Sequence, residues 1–274
     1  MSHSMALSPK IVMVNYLNSK PFEYGLKNYK KNAGFDIIAT TPAECAALYG
    51  DKTSDVALVP VGALHEFSDY KIITDFCIGC DGEVRTVCIF SNKKLENCTR
   101  LLLDNHSRTS VLLSKLITEE FLELNLSYYP LNVTDYVMQG GDAILMIGDK
   151  VFEYEKKFRY KYDLGSLWKD WTGLPFVFAV WIARENKIND ITIEKLNESF
   201  HYGIAHLPQI IKKESNDNLD LYYYLSNNIQ YMLDEKKRLA LNLFLKKSAR
   251  FNQSLYQSEI KKLLVTEKNC PSDQ

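Results

Sequence analysis

No apolar run in the sequence approaches the ~20 residues that a bilayer-spanning helix requires, which argues against a helical membrane protein. A surplus of either charge is missing too: Lys+Arg is 33 against Asp+Glu 34, a formal net charge of -1. Without a basic field, neither nucleic acid nor an anionic membrane surface is an expected partner. There is no Gly-x-Gly-x-x-Gly, no P-loop and no Gly-x-Ser-x-Gly elbow, so nucleotide-dependent and serine-hydrolase chemistries lose ground. His65, His106, His201 and His206 fall at no recognised metal spacing. The polar start is followed by only the short apolar run Ile11 to Val14, too little for a secretory leader, so a cytoplasmic protein is expected. Met1-Ser2-His3-Ser4-Met5, with its second Met, reads as an expression-vector remnant.

What is present is the material of a packed core. Hydrophobic residues make up 46% and charged residues 24% of 274 residues, enough for one large domain or two modest ones. Six cysteines occur, but an even count does not imply disulfides in a chain of this size and expected location. Cys77-Ile78-Gly79-Cys80 is a lone CxxC without the second ligand pair that zinc usually needs. It reads as reduced thiols around a strand end.

The first third alternates strand-like and helix-like segments. Ile11–Tyr16, Phe35–Thr40 and Val56–Val59 read as strands. Between the first two, a helix starts at Pro21 and buries Phe22, Leu26 and Tyr29. Between the second and third, Thr41-Pro42-Ala43-Glu44 forms a capping-box pattern. This order predicts a parallel sheet with right-handed crossovers. Tyr70–Phe76 and Arg85–Ser91 read as two more strands around the loop Gly79–Glu83. The βα pattern then starts afresh with Leu101–Leu103, a helix over Thr109–Leu124, and strands at Leu126–Leu131 and Ala143–Ile147. Asp55-Val56-Ala57-Leu58-Val59 echoes Asp142-Ala143-Ile144-Leu145-Met146, as two half-proteins of similar design would. Phe176–Ala183 is a further strand. Helix periods then run over Ile193–Ile211, Leu219–Leu233, Glu235–Ala249 and Leu255–Leu264. Two sheet lobes joined by two hinged crossings are expected, near Phe90–Lys94 and Pro175–Ala179. A ligand would lie in the crevice between lobes, at strand carboxyl ends.

Three polar segments stand at such strand ends. Ser107-Arg108-Thr109-Ser110 opens a helix, where hydroxyls and free N–H groups can hold a carboxylate and Arg108 can add a charge-assisted bond. Simple N-capping by Ser107 is the alternative. Asn18-Ser19-Lys20-Pro21 follows the first strand, and Asn18 can both donate and accept; equally, it can be a turn residue that tidies the backbone. Asp81-Gly82-Glu83-Val84-Arg85-Thr86 sets charges and a hydroxyl beside a Gly turn, though Asp-Gly is also a common hairpin signal. The tyrosines at 222–224 read as packing residues.

Asn15-Tyr16-Leu17-Asn18-Ser19-Lys20-Pro21-Phe22 resembles the Ser-Tyr-Leu-Asn-Thr-Lys-Pro-Phe opening of the menaquinone-pathway chorismate dehydratases. Asp55 to Pro60, Cys77 to Val87, Ser107 to Ser110 and Trp168 to Trp181 are similar to further blocks of that family, so the likeness runs to about residue 185. It implies a type II periplasmic-binding-protein-like α/β fold with mixed, mainly parallel sheets and a helical C-terminal region. Residues 1–93 and 177–274 would form the first lobe and 94–176 the second.

The resemblance also implies a reaction, in which chorismate loses water to give 3-[(1-carboxyvinyl)oxy]benzoate. No metal or organic cofactor is implied, and the substrate's own enolpyruvyl carboxylate is the family's proposed base. The family's catalytic Asn falls on Asn18. Its catalytic Ser falls on position 86, where this chain has Thr. Ser19, Arg85, Ser107, Thr109, Ser110, Gly148 and Asp149 complete the expected contacts to the small dianion. Asp81 and Asp149 are alternative proton acceptors. A non-catalytic binding protein of the same fold, or the sister lyase that cleaves a cyclic futalosine derivative, are the competing readings.

Overall fold

The computed structural model describes residues 8–30, 34–104, 107–131, 140–185, 187–214 and 221–267, with side chains as far as 251. His106, Cys270 and the opening five residues lie outside these. In chain order the elements are β1 (Lys10–Val14), α1 (Lys20–Asn28), β2 (Asp36–Thr40), α2 (Pro42–Gly50), β3 (Val56–Pro60), β4 (Lys71–Cys80) and β5 (Val87–Ser91). They continue as β6 (Arg100–Leu103), α3 (Arg108–Leu116), β7 (Ser127–Pro130), β8 (Asp142–Ile147), α4 (Val151–Tyr154), β9 (Tyr160–Asp163) and α5 (Leu164–Thr172). The chain ends with β10 (Phe176–Ala183), α6 (Asp190–Ala205), α7 (Leu207–Glu214), α8 (Leu221–Tyr223), β11 (Gln230–Met232) and α9 (Glu235–Glu267).

Two sheets form. The first has the order β11-β4-β10-β3-β1-β2 and the second β7-β6-β8-β5-β9. In the first, β1 pairs parallel with β2 and β3, while β10 runs antiparallel between β3 and β4. The second repeats the scheme, with β6 parallel to β7 and β8, and β5 antiparallel between β8 and β9. The echo between Asp55 and Asp142 is therefore topological, since each enters the third strand of a repeated unit, β1-β2-β3 in one sheet and β6-β7-β8 in the other. Each carboxylate also grips the residue that opens the first strand: Lys10 N donates to Asp55 at 2.8 Å and Arg100 Nε to Asp142 at 2.7 Å. β3 and β10 are buried along their whole length, as sheet strands covered on both faces must be.

Helix α1 is clamped where it leaves the first strand. A Cβ on Gly25 would stand 1.9 Å from the Ser199 carbonyl oxygen, and one on Gly203 1.8 Å from that of Pro21. Only glycines let α1 and α6 approach this closely. That contact fixes the loop carrying Asn18.

Several expectations need correction. β5 lies in the second sheet, so the lobe boundary at residue 93 is misplaced. The first crossing is the segment 81–86 rather than Phe90–Lys94, and the second is 173–175, ending before β10 begins. Asp81-Gly82 is not a hairpin, because the strands on either side belong to different sheets. The reading of Cys77 and Cys80 as reduced thiols around a strand end holds, since β4 ends at Cys80; both are buried, and the Cys77 thiol is pushed up to about 12 by burial. The helix expected over Ile193–Ile211 breaks at His206. Of the helix expected at Leu219–Leu233, residues 219 and 220 lie outside the described set. The rest is one helical turn, a π-helical turn (Tyr224–Asn228) and strand β11 on the edge of the first sheet.

Candidate active site

β1 ends at Val14, and the chain turns through Leu17–Ser19 into α1. Ser19 is buried and spends its hydroxyl on that turn, donating to Val14 O at 2.6 Å and accepting from Tyr16 N at 3.3 Å. It is a scaffold for Asn18 rather than a group facing the cleft. The next backbone donor, Leu17 N, reaches the carboxylate of Asp149 in the other lobe at 3.2 Å. Burial raises the Asp149 pKa, while the Leu17 N–H and the charge of Lys20 oppose the rise. Asp149 thus ties the lobes together.

The first crossing is held from below by one carboxylate. Asp163 accepts from Arg85 N at 2.7 Å, Val84 N at 3.1 Å and, as the N-cap of α5, Ser166 N at 3.0 Å. Arg85 bends the chain with a left-handed φ of 66°. Its guanidinium lies over the Phe152 ring and 3.8 Å from Glu155, so it does not line the cleft. Thr86 follows, buried, with its carbonyl accepting from Gly148 N at 2.8 Å. That bend turns the Thr86 hydroxyl inward.

Facing these groups is the start of α3. Ser107 caps the helix, its hydroxyl accepting from Ser110 N at 3.3 Å and lying 2.9 Å from Ser110 Oγ. Both serines also line the cleft, so capping and cleft-lining are one arrangement. Thr109 does something else: its hydroxyl accepts from Gly62 N at 3.0 Å and donates to Phe178 O at 3.1 Å, a second tie between lobes. Arg108 pairs with Glu66 on the surface instead of reaching inward. Gly148, with φ +71°, lines the cleft where a Cβ would stand 3.1 Å from the Tyr16 ring.

Together these elements line a cleft of about 520 Å³, open solvent included. Val14, Pro60, Ile78, Val84, Val87, Ile147 and Phe178 give it apolar walls, and Tyr16, Asn18, Thr86, Ser107 and Ser110 give it a few polar points. Such a balance suits a small ring compound with polar substituents. Burial, aided by the carboxylates of Asp104 and Asp149, pushes the Tyr16 phenol up to about 12. It is a neutral hydroxyl near neutral pH. Asp81, an alternative base, pairs with Lys169 at 2.6 Å and does not line the cleft.

One residue escaped sequence reasoning. Tyr224 is fully buried, its hydroxyl 3.0 Å from Thr86 Oγ1. Burial raises its pKa strongly. Tyr222 and Tyr223 beside it are exposed, so the run itself carries no signal that its third member differs. Among the described residues, no group of three His, Cys, Asp or Glu could hold a metal ion.

Residues 9–250 match the model of a family described as menaquinone biosynthesis. A chorismate dehydratase of Thermus thermophilus is 28% identical, the match covering 82% of this chain and 94% of that protein. Among solved structures, a protein from Archaeoglobus fulgidus superposes with a TM-score of 0.69 at 14% identity, over 92% of this chain and 100% of that one. A Candida albicans protein described as having the generic periplasmic binding protein fold gives 0.65 at 12% identity, over 88% and 90%. The fold is therefore periplasmic-binding-protein-like.

Proposed function

The chain belongs to the menaquinone biosynthesis family, and from that premise we propose that it is a chorismate dehydratase, a hydro-lyase that converts chorismate to 3-[(1-carboxyvinyl)oxy]benzoate in the cytoplasm. The observation that carries this reading is the meeting of Asn18 and the Thr86 hydroxyl in one apolar interlobe cleft, with Ser107 and Ser110 lining it from the other lobe. The resemblance of the opening block and of the Cys77–Val87 block to the family implies catalysis by that same Asn and by a hydroxyl at position 86.

The chemistry asks little of the protein. Loss of the ring hydroxyl and a ring proton makes the ring aromatic, which drives the elimination. What remains is to hold the dianion in a reactive pose and to donate hydrogen bonds where charge develops. Asn18 and Thr86 fit the second task as neutral hydrogen-bonding groups. The start of α3, with two serine hydroxyls at the positive end of its dipole, fits a carboxylate of the substrate. Gly148 lets the Tyr16 ring pack close against the cleft wall. Asp149, tied to Leu17 N, fits the closure of the lobes over the bound molecule.

Incubation of the purified protein with chorismate tests the reading. Mass spectrometry should show a product lighter by one water, with the absorbance of a substituted benzoate. Chorismate recovered unchanged would exclude it and leave a binding protein or the sister lyase.

A further inference from the structure

We propose that Tyr224 is a positioning residue of this site, setting the direction in which the Thr86 hydroxyl meets the substrate. The inference rests on the dehydratase reading and deepens it. Tyr224 Oη is 3.0 Å from Thr86 Oγ1, so a fully buried phenol holds one of the two groups to which the resemblance gives catalysis.

Each of the two hydroxyls has one proton and can also accept, so the pair holds Thr86 Oγ1 in one orientation whichever of them donates. The substrate therefore meets the Thr86 hydroxyl at a fixed angle. Without the phenol, that hydroxyl is free to turn.

Two further features suit Tyr224 to this task. Its ring is locked edge-on against Phe152 at 5.4 Å, so the hydroxyl is held rigidly. It also opens the π-helical turn Tyr224–Asn228, a distortion that is found mostly at functional positions and that here aims one tyrosine inward while its two neighbours face solvent.

Tyr224→Phe removes only the hydroxyl. Steady-state kinetics on chorismate should show kcat lowered by about tenfold or more, with KM changed by less than about twofold. Thr86→Ala should lose less activity in the Tyr224→Phe background than in the wild type, because both changes break the same hydrogen bond. An unaltered melting midpoint in Tyr224→Phe would show that packing is intact. A variant with wild-type kcat would overturn the proposal. So would a loss that multiplies fully with that of Thr86→Ala, or one that appears in KM and the melting midpoint alone. These outcomes leave the dehydratase reading standing. An inert wild type would overturn both.

Discussion

At position 86 the chain offers a hydroxyl on a β-branched carbon, and everything around it restricts how that hydroxyl can turn. The carbonyl of Thr86 is bonded to Gly148 N and the hydroxyl to Tyr224, so little rotamer freedom remains. Thr86→Ala and Asn18→Ala should each lower kcat by roughly 10²- to 10³-fold, the loss typical of one preorganised donor. Thr86→Ser should stay within about tenfold of the wild type, since the hydroxyl survives with looser aim. Thr86→Val, nearly isosteric, should behave like the Ala variant. Wild-type rates in both Ala variants would remove these residues from the mechanism. Asn18 and Thr86 were legible in the sequence through the blocks that hold them. Ser19, Arg85 and Thr109 were legible as neighbours of the site but not in their roles. Their polar atoms go to backbone groups and to the partner lobe, and nothing in a residue type says which way its side chain will face.

Among the elements, the crossing segment 81–86 and helix α5 depend on one buried carboxylate. Asp163 satisfies three backbone N–H groups at once, on Val84, Arg85 and Ser166. Its loss leaves these donors unpaired, at about 1–3 kcal/mol each if none finds water. Asp163→Ala should therefore lower the melting midpoint by several degrees and, by loosening Thr86, lower kcat as well. Asp163→Asn keeps one acceptor oxygen and should cost less. Burial holds the Asp163 pKa above its ordinary value, so the folded chain keeps that proton more tightly than the unfolded chain does. The contribution of Asp163 to wild-type stability is then fully present below the unfolded carboxylate pKa and declines as pH rises through the folded one. The Asn variant should lack that decline, and a pH series of melting curves would show whether it does. β9 and α5 were themselves missed in the sequence. Tyr160–Asp163 is short and charged, and no apolar run announces it. By contrast β3, β8 and β10 were plain, because strands covered on both faces read as unbroken apolar runs.

For the whole molecule, the two-lobed design was visible in the restart of the βα pattern and in the Asp55 and Asp142 echo. The crossings were not, because Val87–Ser91 is apolar on both faces and suits either sheet equally well. Once placed, the crossings explain the site. Each sends one strand into the middle of the other lobe's sheet, β5 between β8 and β9 and β10 between β3 and β4. The segment before β5 then delivers Thr86 to the cleft. The lobes are drawn together by Leu17 N to Asp149 and by Thr109 to Gly62 and Phe178. The central claim is that a small dianion binds between the lobes, in contact with both. A crystal structure of the protein with 3-[(1-carboxyvinyl)oxy]benzoate tests it most directly. The account predicts the aromatic ring against Phe178 and Ile147, one carboxylate at Ser107 and Ser110, and Asn18 and Thr86 within hydrogen-bond reach of the ligand. A ligand seated outside this cleft, or touching one lobe alone, would contradict it.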